Sequence, residues 1–176
     1  MADTLITYLD PFKHTTEGWE FGTNSENHAT MKHDPKEEAL HVKGSTDSNP
    51  MYKNFPITIQ KTYPPIKTGI WNDIHFEFRI RRTGDSSDED VNLHLSADAE
   101  TGAVLEGIFV DGLFRKYRNA TPEDSGWQKV RIRLADLGAK CLNPLTIKLY
   151  NRQHDGTEIE FWIRNLEVTR DPSAIT

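Results

Sequence analysis

The segment that most constrains the fold lies near the end of the chain, at residues 158–169, which read Glu-Ile-Glu-Phe-Trp-Ile-Arg-Asn-Leu-Glu-Val-Thr. Its apolar positions are Ile159, Phe161, Ile163, Leu166 and Val168. Alternation with a period of two predicts a β-strand that buries one face. The change from odd to even positions predicts a β-bulge near Arg164 and Asn165, because a shift of one residue otherwise sends every side chain to the wrong face.

The same alternation recurs along the chain. It predicts strands at residues 5–9, 29–33, 39–43, 52–61, 74–82, 91–97, 127–134 and 145–151, a hairpin at 107–114 and one helical turn at 135–140. Many short strands between turns are typical of an all-β, antiparallel two-sheet β-sandwich, and we predict a jelly roll. With 176 residues, the chain is predicted to form a single domain, 1–176.

The composition of the chain indicates which kinds of partner and which cellular location to expect. The net charge of -6, with basic residues interspersed among acidic ones, predicts no nucleic-acid partner. No apolar run approaches the ~20 residues of a membrane span, so no membrane partner is expected. The first residues contain no basic segment followed by an apolar one, which is the pattern of a secretory signal peptide. Cys141 is the single cysteine. We therefore expect a cytoplasmic protein, or an extracellular one if the chain is an excised module.

Five motifs come in an order that resembles a known family. They are Phe12 followed by Gly18-Trp19, Ala39-Leu40-His41-Val42, the strand at 74–82, Trp127-Gln128-Lys129-Val130, and Phe161-Trp162-Ile163-Arg164-Asn165-Leu166. This order resembles the carbohydrate-binding modules with the galactose-binding-like jelly-roll fold, over nearly the whole chain. The resemblance implies two sheets of four to five strands, with sugar bound on the concave sheet or at the loops.

The resemblance also implies a structural calcium ion, held by an acidic residue after the first-loop Phe and by an Asp-Asp pair in the last strand. These positions are Lys13, Arg164 and Asn165 in this sequence. Calcium needs about six or more oxygen ligands, usually with carboxylates among them, and a lysine and an arginine oppose the ion. We therefore expect no metal site. The seven histidines show no tight ligand spacing, and no cofactor is predicted.

One predicted sheet contains residues 39–43, 74–82, 127–134 and the last strand. Its outward side chains are His41, Lys43, Glu77, Arg79, Lys129, Arg131, Glu160, Trp162 and Arg164. Acids and bases that alternate on neighbouring strands are typical of cross-strand charge pairs. This pattern predicts a solvated, convex structural face, with Trp162 between cations.

The other predicted sheet contains residues 52–61, 91–97, the hairpin and 145–151. Sugars need rings to stack on and polar groups to bond their hydroxyls, and the outward positions of this sheet offer both. The predicted ligand-binding residues, together with the nearby Trp71, are Tyr52, Asn54, Trp71, Asn92, His94, Ser96, Phe109, Thr146, Lys148, Tyr150 and Arg152. The hairpin is apolar on both faces, which predicts a pocket floor, a loop contact or a homodimer contact.

Two functions remain open. The first is a non-catalytic module that binds a glycan on the concave sheet. The second is a cofactor-free enzyme, such as a cyclase, a pericyclase of the Diels-Alderase kind, an isomerase or a lyase, acting on an apolar natural-product intermediate. Its candidate acid, base or hydrogen-bond donors are His94, Lys148 and Tyr150. A protein-interaction domain is a third reading, in which the apolar hairpin forms the contact.

Overall fold

The structure is a computed structural model. It describes residues 5–22, 29–45, 57–63, 71–83, 91–97, 108–109, 126–137, 142, 144–151 and 158–170. The strands are β1 (Leu5–Asp10), β2 (Glu20–Phe21), β3 (Ala29–Asp34), β4 (Ala39–Ser45), β5 (Ile57–Lys61), β6 (Asp73–Thr83), β7 (Val91–Ala97), β8 (Ile108–Phe109), β9 (Gln128–Arg133), β10 (Leu145–Asn151) and β11 (Glu158–Arg170). A 3₁₀ helix spans Leu134–Leu137.

The strands form two antiparallel sheets. The six-stranded sheet has the order β3-β4-β11-β6-β9, with β1 also paired to β11, and the five-stranded sheet has the order β2-β5-β10-β7-β8. Their apolar faces share one hydrophobic core, which includes Phe78 and Phe161 from the first sheet and Ile59 and Ile147 from the second. The predicted antiparallel jelly-roll sandwich, and the division of its main strands between the sheets, are therefore confirmed.

Strand β11 lies at the centre of the six-stranded sheet. It pairs with β4 and β1 on one side and with β6 on the other. Its register against β6 shifts between Arg164 and Glu167, and Asn165 has a φ of 52°. Asparagine is among the few non-glycine residues that adopt this left-handed conformation. The predicted bulge is confirmed, and it returns Leu166 and Val168 to the buried face.

Two short elements differ from the sequence-based expectations, and a third lies mostly outside the described residues. Strand β2 shows no alternation because it has two residues, and only its pairing with β5 identifies it. The helical turn begins at Leu134 and ends at Leu137 instead of covering 135–140. Of the predicted hairpin, only Ile108 and Phe109 lie within the described residues. Within the described ranges, no helix has the length and apolarity needed to cross a membrane.

Candidate functional site

The predicted ligand-binding positions on the five-stranded sheet meet through the pairing of β10 with β7. The opposed pairs are Asn92 with Tyr150, His94 with Lys148, and Ser96 with Thr146. The intervening positions Leu95 and Ile147 are fully buried in the core. Because successive residues of a strand point to opposite faces, the three pairs lie on the outer face. They occupy consecutive rows, so six predicted positions form one continuous patch.

The central row extends across four strands. Phe109 of β8 is opposite His94, and Thr58 of β5 is opposite Lys148. Neighbouring strands lie about 4.7–4.9 Å apart, so this row is roughly 14 Å long. The strand register therefore places Phe109, His94, Lys148 and Thr58 one after another along the row.

The β5 margin of this face is closed by the chain next to β2. The backbone N–H of Gly22 donates a hydrogen bond to the Thr58 carbonyl oxygen (2.9 Å), and Thr58 is 4% exposed. A Cβ atom at Gly22 would lie 2.7 Å from Cγ2 of Thr58, so a larger residue would collide with it. Gln60, in the next row, donates a hydrogen bond to Oε1 of Glu20 (3.4 Å). These contacts fix one border of the patch.

Of the four other predicted ligand-binding residues, only Trp71 is described, and it does not join the patch. Trp71 precedes β6 of the six-stranded sheet and packs, half-buried, against the core. The neighbouring Asn72 N–H bonds the Thr169 carbonyl oxygen (2.8 Å), which holds this segment beside β11. Tyr52, Asn54 and Arg152 lie outside the described residues.

The outer face of the six-stranded sheet carries Trp162 between cations, as predicted. The guanidinium carbons of Arg79 and Arg81 lie 4.7 and 5.5 Å from the indole centroid. The imidazole of His41 stacks on the same indole, with the ring centroids 4.7 Å apart. Trp162 is only 5% exposed, so these groups cover its ring. Flat cationic and aromatic groups cover the ring, because they gain attraction to its negatively polarised face.

Hydrogen bonds hold this cluster together. Nε2 of His41 donates to Glu160 (2.8 Å), which also accepts hydrogen bonds from the Arg81 guanidinium. The Trp162 indole N–H donates to Asp34 (3.1 Å). Burial tends to raise the pKa of Asp34, but hydrogen bonds from the backbone of Glu37, from the indole and from the backbone of Lys36 hold that pKa below its ordinary value. Hydrogen bonds and ring stacking in this cluster thus join β3, β4, β6 and β11.

A second polar cluster lies around Asp10, which is fully buried. Asp10 accepts hydrogen bonds from the Trp19 indole N–H (2.8 Å), the Lys61 ammonium group and the Tyr63 hydroxyl. Burial, and then the negative charge of Asp10, raise the pKa of Tyr63 far above its ordinary value. The cluster joins β1 of one sheet to β5 of the other. Sequence reasoning missed it, because no local pattern links Asp10 to partners 51 and 53 residues away.

The positions that correspond to the family's calcium ligands do not fit a cation. Lys13 is exposed, and Arg164 bonds Glu77 through Nε (3.2 Å) while its guanidinium carbon lies 3.8 Å from the Trp127 ring centroid. Asn165 donates its side-chain amide to Glu77 as well. The Glu77 carboxylate is thus bonded to Arg164, whereas a calcium ion would need this carboxylate as a ligand. In the part of the chain that is described, no three His, Cys, Asp or Glu side chains group so as to hold a metal ion.

Comparisons with known proteins support the fold. No protein-family model and no curated protein matches the sequence. A carbohydrate-binding module specific for non-crystalline cellulose, CBM28, superposes with a TM-score of 0.59 at 10% identity, over 88% of this chain and 89% of that one. The CBM27-1 module of Caldicellulosiruptor saccharolyticus, solved with mannohexaose, has a TM-score of 0.52 at 11% identity, over 96% and 97% of the two chains.

Part of a larger enzyme is also similar. An arabinose-bound α-L-arabinofuranosidase, MgGH51, matches with a TM-score of 0.53 at 13% identity, over 94% of this chain but only 26% of the enzyme. At such low identities the similarity shows the fold alone. With its sheet order and its shared core, this protein has the antiparallel β-sandwich fold of the carbohydrate-binding modules.

Proposed function

We propose that this protein binds a glycan on the outer face of its five-stranded sheet, at the patch formed by β7 and β10. One observation carries the proposal: the strand register aligns Asn92, His94 and Ser96 with Tyr150, Lys148 and Thr146 in three consecutive rows. These positions lie far apart in the sequence, and their alignment assembles one surface.

The composition of the patch suits a sugar. Tyr150 offers an aromatic ring on which a pyranose can stack, and amide, imidazole, hydroxyl and ammonium groups offer both donors and acceptors for hydroxyls. The central row, roughly 14 Å long, also gives room for several sugar units in line. Of the two modules of similar fold, one is specific for non-crystalline cellulose and the other was solved with mannohexaose, and neither glycan carries charged groups. We therefore propose a neutral glycan as the ligand class.

Affinity electrophoresis through gels that contain hydroxyethyl cellulose, glucomannan or xylan tests this proposal, followed by calorimetry with the matching oligosaccharide. The informative variants are Tyr150→Ala and Lys148→Ala. We expect Tyr150→Ala to weaken binding about fivefold or more, because truncating an aromatic contact at a binding site typically costs upward of ~1 kcal/mol. Lys36→Ala, an exposed lysine in the turn between β3 and β4, is the matched control and should leave binding unchanged.

Failure to bind any neutral glycan would reject the proposal. Equal binding by wild type and both patch variants would reject the location while leaving glycan binding intact. Each variant is compared with wild type by circular dichroism, so that loss of the fold is not read as loss of the site.

A cofactor-free enzyme on an apolar small molecule is the second candidate. It is favoured by the row in which His94 stands directly between Phe109 and Lys148. Directly opposed positions have Cβ atoms about 4.5–5.5 Å apart, so an acid–base pair beside an apolar group is compatible with this row. Thermal stabilisation by apolar polyenes, lost in His94→Ala and absent with every glycan, would favour this function over the first.

A further inference from the structure

The outer face of the six-stranded sheet has an uneven distribution of charge. Among the strand residues of this face whose side chains are described, every exposed charged side chain is basic: Lys32, Lys43, Arg81, Lys129, Arg131 and Arg133. The acidic ones, Asp34, Asp73, Glu77, Glu160 and Glu167, are buried or half-buried. The face therefore presents positive charge to solvent, on a chain whose net charge is -6.

The acids are turned to internal partners. Glu160 bonds His41 and Arg81, and Asp73 accepts a hydrogen bond from Arg131 (2.7 Å). The Arg131 side chain nevertheless stays 68% exposed, with donors left on its outer side. Anions approaching from solvent thus meet the cations before the carboxylates.

A groove of about 430 Å³ interrupts this face beside the bulge of β11. Lys129 and Arg131 of β9 line one side, Asn165 and Glu167 of β11 line the other, and His75 and Glu77 of β6 lie between them. The lining combines cations with an amide, an imidazole and carboxylates. Such a set can bind an anionic group and accept hydrogen bonds from neighbouring hydroxyls at the same time.

We propose that this face is a second binding surface, and that its ligand is an anionic polysaccharide bearing carboxylate or sulfate groups. Strand β9 presents Lys129, Arg131 and Arg133 at every second position, in a line with a spacing of about 6.6–6.8 Å. A linear polyanion engages several charges of such a line in turn. The carboxylates of the groove favour a ligand with hydroxyl donors, which a sugar chain supplies at each unit.

The aromatic residues of this face argue against single-stranded nucleic acid as the ligand. Nucleic-acid grooves of this type stack bases on open rings. Here Trp162 is buried beneath Arg79 and Arg81, and Trp127 is covered by the guanidinium of Arg164. The cationic surface therefore comes without an open stacking platform among its described residues.

Fluorescence anisotropy with labelled polygalacturonate and labelled dextran sulfate at about 50 mM salt tests the proposal. Uncharged dextran and the oligonucleotide poly(dT) are the comparison ligands. We expect at least one anionic polysaccharide to bind, and dextran not to. The carboxylate and sulfate probes separate the two kinds of anionic group. Raising the salt to about 300 mM should weaken binding by roughly tenfold, because solvent-exposed charges are screened.

The charge-removing variants are Lys129→Gln and Lys32→Gln, at opposite edges of the sheet, since neither has a role in the core. Each should weaken binding about two- to fivefold, the range for one exposed ionic contact. Lys13→Gln removes the same charge from the exposed loop after β1 and should have no effect.

Three results would overturn the proposal: no binding of either anionic polysaccharide, equal weakening by Lys13→Gln, or tighter binding of poly(dT) than of both polysaccharides. None of these three results involves binding of a neutral glycan or a residue of the β7–β10 patch. The proposal therefore stands or falls separately from the function proposed above.

Discussion

The imidazole of His41 lies parallel to the indole of Trp162, with the ring centroids 4.7 Å apart and an angle of 11° between the planes. The two residues are direct cross-strand partners on β4 and β11. A tryptophan that binds sugar has to present an open ring, whereas this one is covered by His41, Arg79 and Arg81. Trp162 therefore contributes to the stability of the six-stranded sheet, not to a sugar platform.

Replacement of Trp162 tests this assignment. We expect Trp162→Ala to lower the free energy of unfolding by about 3–5 kcal/mol, the usual cost of truncating a large buried aromatic side chain. Urea denaturation measures the change, with unfolding monitored by the circular dichroism of the backbone, which does not depend on the tryptophan. Trp162→Phe keeps a ring and should lose less. An unchanged unfolding midpoint together with lost neutral-glycan binding would contradict the structural role.

The bulge of β11 predicts that this position tolerates glycine better than a β-branched residue, because Asn165 has a φ of 52°. Glycine reaches this conformation without steric cost, whereas a β-branched residue does not. Asn165→Gly should change the free energy of unfolding by less than about 1 kcal/mol, and Asn165→Val should lower it by roughly 1–2 kcal/mol or more. Denaturant midpoints of the two variants decide the matter. Equal stability of Val and Gly at this position would argue against the left-handed bulge.

Tyr63 makes stability depend on alkaline pH. Burial and the charge of Asp10 raise the pKa of Tyr63 above its ordinary value of 10.0. A raised pKa in the folded state means that the stabilisation is complete below pH 10, and that it declines as the pH rises further, because only the unfolded chain then releases the proton. The free energy of unfolding should fall by about 1 kcal/mol per pH unit from this group alone.

The matched variant for this measurement is Tyr63→Phe, which has no ionisable hydroxyl. Wild type should lose more stability than Tyr63→Phe between pH 9 and pH 11, whatever the difference between them at pH 8. Parallel pH profiles of the two proteins would show that Tyr63 ionises normally in the folded protein.

Asp34 makes the free energy of unfolding depend on pH in the acidic range. Here stability decreases as the pH falls, whereas the effect of Tyr63 is a decrease as the pH rises. The pKa of Asp34 is lowered, in spite of its partial burial, by hydrogen bonds from Glu37, Trp162 and Lys36. Its contribution is present above the ordinary value of 3.8 and is lost as the pH falls through the lower folded value. The urea midpoints of wild type and Asp34→Asn should differ at pH 6 and approach each other as the pH falls below 3.8. A difference that stays constant over this range would exclude the hydrogen-bonded carboxylate as its cause.

Local patterns in the sequence determined the main strands and the bulge, and they place Lys13, Arg164 and Asn165 at the positions of the family's calcium ligands. Ile159, Phe161 and Ile163 alternate with polar residues, and alternation depends only on residues two positions apart. The same local rule assigned His94, Lys148 and Tyr150 to outer positions of the second sheet. Their alignment as neighbours follows from the register of β7 with β10, which agrees with that prediction of a shared face.

Only the tertiary structure decided which polar groups meet. Asp10 forms hydrogen bonds with Lys61 of the other sheet and with Tyr63, which lie 51 and 53 residues further along the chain. His41 forms a hydrogen bond with Glu160, which is 119 residues away in the sequence. Alternation places each residue on a face, but it contains no information on strand order or on which side chains cover which. The burial of Trp162 on an outer face is therefore a property of the packed sheet, because the cations that cover it come from a neighbouring strand, β6.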